Sequence, residues 1–191
     1  RISSRIRPIS VTMRTATITA CRKSRPLWAW PKPSGWIFNE LLKDYFVGLL
    51  TIVMRRTTFE SLASGFDSRF HVIGDFDLTI RIAENWKIDC VQETLASYRI
   101  HGKNESTKHK ERHVKELETW LGEMKKRFSR LNQEVFNNIM DSCSYLKALY
   151  WLDQHKIWEA VIIFLKLPLG KEKLKLLATL ILPKIALEML K

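Results

Sequence analysis

Apolar positions along the chain change their period twice. Residues 1 to 35 show neither a sustained helical period nor strict alternation, and they mix Arg, Ser, Thr and Pro with the run Trp28-Ala29-Trp30-Pro31-Lys32-Pro33. No element is predicted there, and two accounts stay open: a disordered basic arm, or a stretch not naturally continuous with the rest of the chain, as after truncation or a frame error. From Gly35 the pattern sharpens. Phe38, Leu41 and Leu42 with Phe46 predict a short amphipathic helix, and the apolar run Leu49 to Met54, closed by Arg55-Arg56, predicts a buried strand. Thr57 or Thr58 is expected to cap a short helix through Leu62 that Gly65 ends. Leu78 and Ile82 are one helical turn apart, and Asp75 stands where that helix begins. Residues 88 to 91 and 95 to 100 then read as short strands, the second alternating Ala96, Tyr98 and Ile100 against Ser97 and Arg99.

Past the polar loop His101 to Lys110 the period becomes helical. Val114, Leu117, Leu121, Met124 and Phe128 form one stripe, and Leu131, Val135, Ile139, Cys143 and Leu146 another. Two further helical segments are expected, from about Ile157 to Leu165 and from about Lys171 to the end. The last carries Leu174, Leu177, Ile181, Ile185 and Leu190 beside Lys171, Lys173, Lys175 and Lys184, a stripe suited to packing in helical hairpins or to resting on an anionic membrane. The pattern divides the chain into a basic irregular segment (1–35), a mixed α/β region (36–110) and a helical tail (111–191).

Composition agrees with folding over most of the length: 46% of the 191 residues are apolar and 27% charged. The net charge of +12 would suggest a nucleic-acid or anionic-membrane partner if it covered a folded face. Its distribution says otherwise, since residues 1 to 39 hold eight Lys or Arg and no Asp or Glu, while the remainder carries 24 basic and 20 acidic residues. Three widely spaced cysteines, Cys21, Cys90 and Cys143, indicate neither a disulfide framework nor a zinc site, and a reducing cytosol is the simpler expectation. Lys166, Pro168, Lys175 and Pro183 interrupt the apolar C-terminal stretch below the length of a membrane span, and no apolar core of a signal peptide forms at the start.

Asp75 and Asp77 form an Asp-x-Asp, a pattern able to present carboxylate oxygen to a hard divalent cation held by diphosphate. The plainer reading has Asp75 capping a helix and Asp77 complementing its dipole. His109 and His113, four apart, lack the rest of a zinc motif and sit among Lys108, Lys110 and Arg112, so both are expected on a solvated face. The Asn104-Glu105-Ser106 sequon matters only in a secreted chain.

Around that Asp-x-Asp runs an ordered series: Met54-Arg55-Arg56, Ser64-Gly65-Phe66-Asp67, Gly74-Asp75-Phe76-Asp77-Leu78 with Arg81-Ile82-Ala83, then Leu95-Ala96 and Tyr98-Arg99-Ile100-His101 with Asn104 and Ser106. Over residues 36 to about 107 this resembles the second half of family 2 glycosyltransferases of the GT-A fold. The resemblance implies an α/β fold, a partial GT-A-like domain carrying the acceptor side of the sheet, followed by the mainly helical tail. It implies an inverting transfer from a nucleotide sugar to a hydroxyl of a glycan or lipid-linked acceptor, with Asp75 as general base. Arg99, His101 and Asp77 would bind substrate, and His101 would reach the divalent metal, Mn2+ or Mg2+, of the intact enzyme. Where the family often has Glu before the base, this chain has Gly74. Residues 1 to 35 contain no Asp, so the family's donor motif is not among them, and the chain is expected to be a C-terminal part that needs no cofactor and is inactive alone. The expected location is the cytoplasm, at the inner face of the membrane if the tail contacts lipid, with no nucleic acid as partner. The alternative is a non-enzymatic basic module whose Arg-rich arm binds nucleic acid or anionic lipid.

Overall fold

The computed structural model describes residues 10–20, 23–24, 32–100 and 108–181, with only the backbone described for 10–20, 23–24 and 93–100. Helix dominates these residues. Strand β1 (Ser10–Ala20), rich in Thr, Val and Ile, pairs antiparallel with β2 (Lys23–Ser24) at Thr19 and Ala20. Here the sequence showed no period, because β-branched residues occupy both faces and leave no alternation to read. Next come α1 (Phe38–Lys43), a 3-10 turn (Leu49–Thr51) and β3 (Ile52–Val53), which pairs antiparallel with β1 at Met13 and Thr12. Then follow α2 (Arg56–Glu60), α3 (Gly74–Asn85) and β4 (Lys87–Ile100), the last running parallel to β1 from Ser10↔Lys87 to Ala20↔Ile100. The tail is α4 (Lys110–Arg127), α5 (Gln133–Asp153), α6 (Ile157–Lys166) and α7 (Lys171–Ile181).

Several local expectations need correction. Leu49 to Met54 is not a buried strand: only Ile52 and Val53 are extended, and Leu49, Leu50 and Val53 are about half exposed. An apolar run specifies burial only if something packs on both faces, and among the described residues little covers this one. Neither Thr57 nor Thr58 caps α2, whose first residue is already Arg56; Thr58 is buried and α2 ends at Glu60. The two strands expected at 88–91 and 95–100 are one strand, β4, and its register against β1 shifts between Arg14 and Ala16, opposite the expected break. Gln92 at that break exchanges hydrogen bonds with the backbone of Lys32, at 2.8 and 3.0 Å. Gly35 closes the same corner by exchanging two backbone hydrogen bonds with Ile88 at a φ of 103°, a conformation that glycine adopts without strain.

The main core joins α1, α3 and the start of β4 to α4 and α5. Its centre is a file of aromatic rings, Tyr45, Phe76, Trp120, Phe128 and Phe38, with successive centroids 4.8 to 5.7 Å apart. The stripes expected on α4 and α5 are the inward faces: Val114, Leu121, Met124, Val135, Ile139 and Cys143 are buried. Asn132 caps α5 by accepting from the Glu134 amide at 2.7 Å. A smaller cluster, Ala148, Ala160, Leu167 and Leu176, holds α5, α6 and α7 together. Of the two uses expected for the last stripe, packing does not hold among the described residues, for Leu176 is buried while Leu174, Leu177 and Ile181 face out. Both sides of α7 are apolar, so its period alone did not select the inner one. Ile185 and Leu190 lie outside the described residues.

Candidate functional site

Two parts of the motif series, the Ser64–Asp67 turn and the start of α3, fold into one connected unit, while His101, Asn104 and Ser106 lie outside the described residues. Asp77 in the first turn of α3 is wholly buried, and its carboxylate accepts from the indole N–H of Trp120 at 3.0 Å and from Arg81 Nε at 2.9 Å. An Arg127 nitrogen lies 3.2 Å from the same carboxylate. Arg81 also donates to the backbone carbonyls of Ser64 and Gly65. The Gly-Phe-Asp turn is thus tied to α3 by one guanidinium. Asp67 of that turn accepts from the backbone and side chain of Arg69, which holds its carboxyl down at about 2, and Arg69 reaches on to Glu123 of α4 at 2.6 Å. Asp77 was expected to bind substrate, whereas full burial among these donors makes it part of the framework.

Asp75 occupies a different setting. It is the second residue of α3 and accepts from the Phe76 amide at 2.8 Å, but it does not cap the helix, because N-cap Ile73 precedes it and a side chain at this position reaches only the next amide. Burial is the main influence on its carboxyl and raises its proton affinity; the Phe76 amide and the nearby His113 pull the other way. Among the described residues no lysine or arginine forms an ion pair with it. Tyr45 stands close by, its hydroxyl 3.3 Å from Thr79 Oγ1, and burial together with the Asp75 charge keeps it protonated. A groove of about 500 Å³ opens beside Tyr45 and Phe76 and is lined also by Leu117, Glu134, Ser142 and Lys171, but not by Asp75. A Cβ at the buried position 74 would meet only Phe66, at 3.8 Å.

Two residues at this site escaped the sequence reading. Glu116 of α4, nearly fully buried, accepts from the amides of His71, Val72 and Ile73 at 3.0, 2.9 and 3.2 Å. It supplies from 43 residues away the cap that the segment before α3 lacks locally, and so fixes the helix start that carries Asp75. His113, expected on a solvated face, is half-buried one turn before Glu116; burial lowers its proton affinity while Glu116 and Asp75 oppose that effect. The available signal was weak: both residues share the Val114 side of α4, an inward position unusual for charge. Removing one carboxylate oxygen and the charge with Glu116→Gln is expected to cost about 1–3 kcal/mol of stability. The exposed Glu118→Gln, which ends only a surface pair with Lys147, should cost less than about 0.5 kcal/mol. Equal urea midpoints for the two variants would remove Glu116 from this capping role.

Of the other candidates, Arg99 lies in β4, where its backbone is opposite Thr19, and His101 lies outside the described residues. The structure therefore places Asp75 beside Tyr45, His113 and Glu116. Among the described residues no three His, Cys, Asp or Glu side chains form a group fit to hold a metal ion. Comparisons with protein-family models, with curated proteins and with solved structures find no match to the chain.

Proposed function

We propose that residues 36 to 110 form the acceptor side of a GT-A-type active site that performs inverting sugar transfer, with Asp75 as general base. One observation carries this reading: of the three carboxylates in the motif series, Asp67 and Asp77 form ion pairs with arginine, whereas Asp75, partly exposed beside Tyr45, forms none with a lysine or arginine among the described residues. In the proposed step an acceptor hydroxyl gives its proton to Asp75 as its oxygen bonds to the anomeric carbon, and the bond to the nucleotide diphosphate breaks with its electrons on the leaving phosphate. The helix start holds the carboxylate in place, and Glu116 holds the helix start. Half-exposed Leu49, Leu50 and Val53 beside β3 offer the apolar edge against which nucleotide-holding strands would pack. In the intact enzyme the partners are a nucleotide sugar, a glycan or lipid-linked acceptor, and a divalent metal; Arg99 and His101 remain proposed contacts of the donor diphosphate.

Calorimetric titration of the chain with nucleoside diphosphates and manganese tests the half-site assignment. No specific binding and no transfer from pooled nucleotide sugars are expected, because holding donor and acceptor together needs elements this reading assigns elsewhere. Tight, metal-dependent nucleotide binding would overturn it and return Asp75-Phe76-Asp77 to consideration as the donor motif. The uneven charge supports the rival reading of a nucleic-acid-binding arm. Salt-dependent DNA binding that disappears when Arg1, Arg5 and Arg7, which precede β1, are replaced by serine would favour that rival.

A further inference from the structure

Eight of the ten residues of helix α6 are apolar, yet the described residues cover only one side of it. Ala160 is buried, and Ile163 and Phe164 pack beside it on the smaller core. On the opposite side Trp158, Ile162 and Leu165 recur at helical spacing, with Trp158 78% and Leu165 70% exposed. Leu169, in the connection to α7, is 93% exposed, and α7 continues the pattern with Leu174 and Ile181 outward. An uncovered helix face of this size, ending in a tryptophan, calls for a second apolar phase.

Charge selects the occupant. The hairpin from Lys156 to Ile181 carries five lysines against Glu159 and Glu172, and Glu172 is itself buried and paired with Lys175. Lys166 and Lys171 flank the connection that carries Leu169, a position from which they would reach phosphate headgroups while the apolar side chains enter the acyl boundary. Tryptophan favours that boundary, because its ring is apolar and its N–H is polar. A second copy of the chain would bring the same positive charge against this face, which disfavours self-association. No described helix is long and apolar enough to cross a bilayer, so the contact would be peripheral.

We infer that the α6–α7 hairpin docks on an anionic lipid surface through Trp158, Ile162, Leu165 and Leu169, with Lys166 and Lys171 on the headgroups. This inference stands independently of the transferase reading. It is tested by co-sedimenting the full chain with vesicles of phosphatidylcholine and of phosphatidylcholine mixed with phosphatidylglycerol. Binding is expected to the mixed vesicles, weakening with salt. The triple variant Trp158→Ser, Ile162→Ser, Leu165→Ser is expected to lower the partition coefficient at least about tenfold, since three exposed apolar side chains lose their burial in the interface. Its far-UV circular dichroism should be unchanged; Trp158→Ser alone, which touches the fold least, should lower binding several-fold and serves if the triple variant misfolds. Undiminished binding by these variants would assign vesicle attraction to the basic N-terminal segment and overturn the inference. So would a concentration-dependent dimer that these variants disperse, without any vesicle binding, since a second copy would then be the occupant.

Discussion

Asp77→Ala is expected to lower the unfolding free energy by about 3–5 kcal/mol, the usual result of removing one partner from a buried charge cluster. The variant strands the Trp120 indole N–H in the core and leaves the Arg81 and Arg127 guanidiniums facing each other's charge without the carboxylate between them. Arg81 keeps its bonds to the Ser64 and Gly65 carbonyls, so the turn stays connected while its electrostatic balance is lost. Asp77→Asn retains an acceptor and is expected to fall between the variant and the parent. Urea unfolding followed by near-ultraviolet circular dichroism, which reports the packed tryptophan, measures both. A loss below about 1 kcal/mol for the alanine variant would mean that the cluster contributes little beyond filling space.

Asp75→Asn is expected to do the opposite, leaving the fold intact and removing the chemistry. The asparagine oxygen still accepts from the Phe76 amide, but it no longer takes a proton, so transfer by an enzyme that includes the donor-binding half should fall by about 100-fold or more. Stability carries a second signature. Burial raises the folded-state proton affinity of Asp75 above its unfolded value, so the ionised carboxylate opposes folding above the folded-state pKa, and this cost disappears below the unfolded value. The asparagine variant should therefore be at least as stable as the parent at neutral pH, with any difference closing as the solution is acidified. Parent transfer should decline with acidification through the raised pKa, where the base becomes protonated. Near-normal turnover by the variant would exclude Asp75 as the base.

Local periodicity belongs to the sequence, because the backbone geometry that buries every third or fourth residue acts within a turn or two. Hence the inward stripes of α4 and α5, the start of α3 within one residue of Asp75 and the break in strand pairing near Gln92 were all readable from residue order, as was the gathering of positive charge before Glu40. Partners remote along the chain were not. Glu116 caps a segment more than 40 residues earlier, and Asp77 meets Trp120 and Arg127 only because α3 and α4 share one core. The same limit explains α6 and α7, whose two apolar sides satisfy a helical period equally well; contact with α5 alone decided which side was buried. For Asp75 and Asp77 the sequence offered two equivalent carboxylates two positions apart. A rotation of about 200° around the helix axis turns one into the core and leaves the other half-open beside Tyr45 and His113, and only the packed structure decides which.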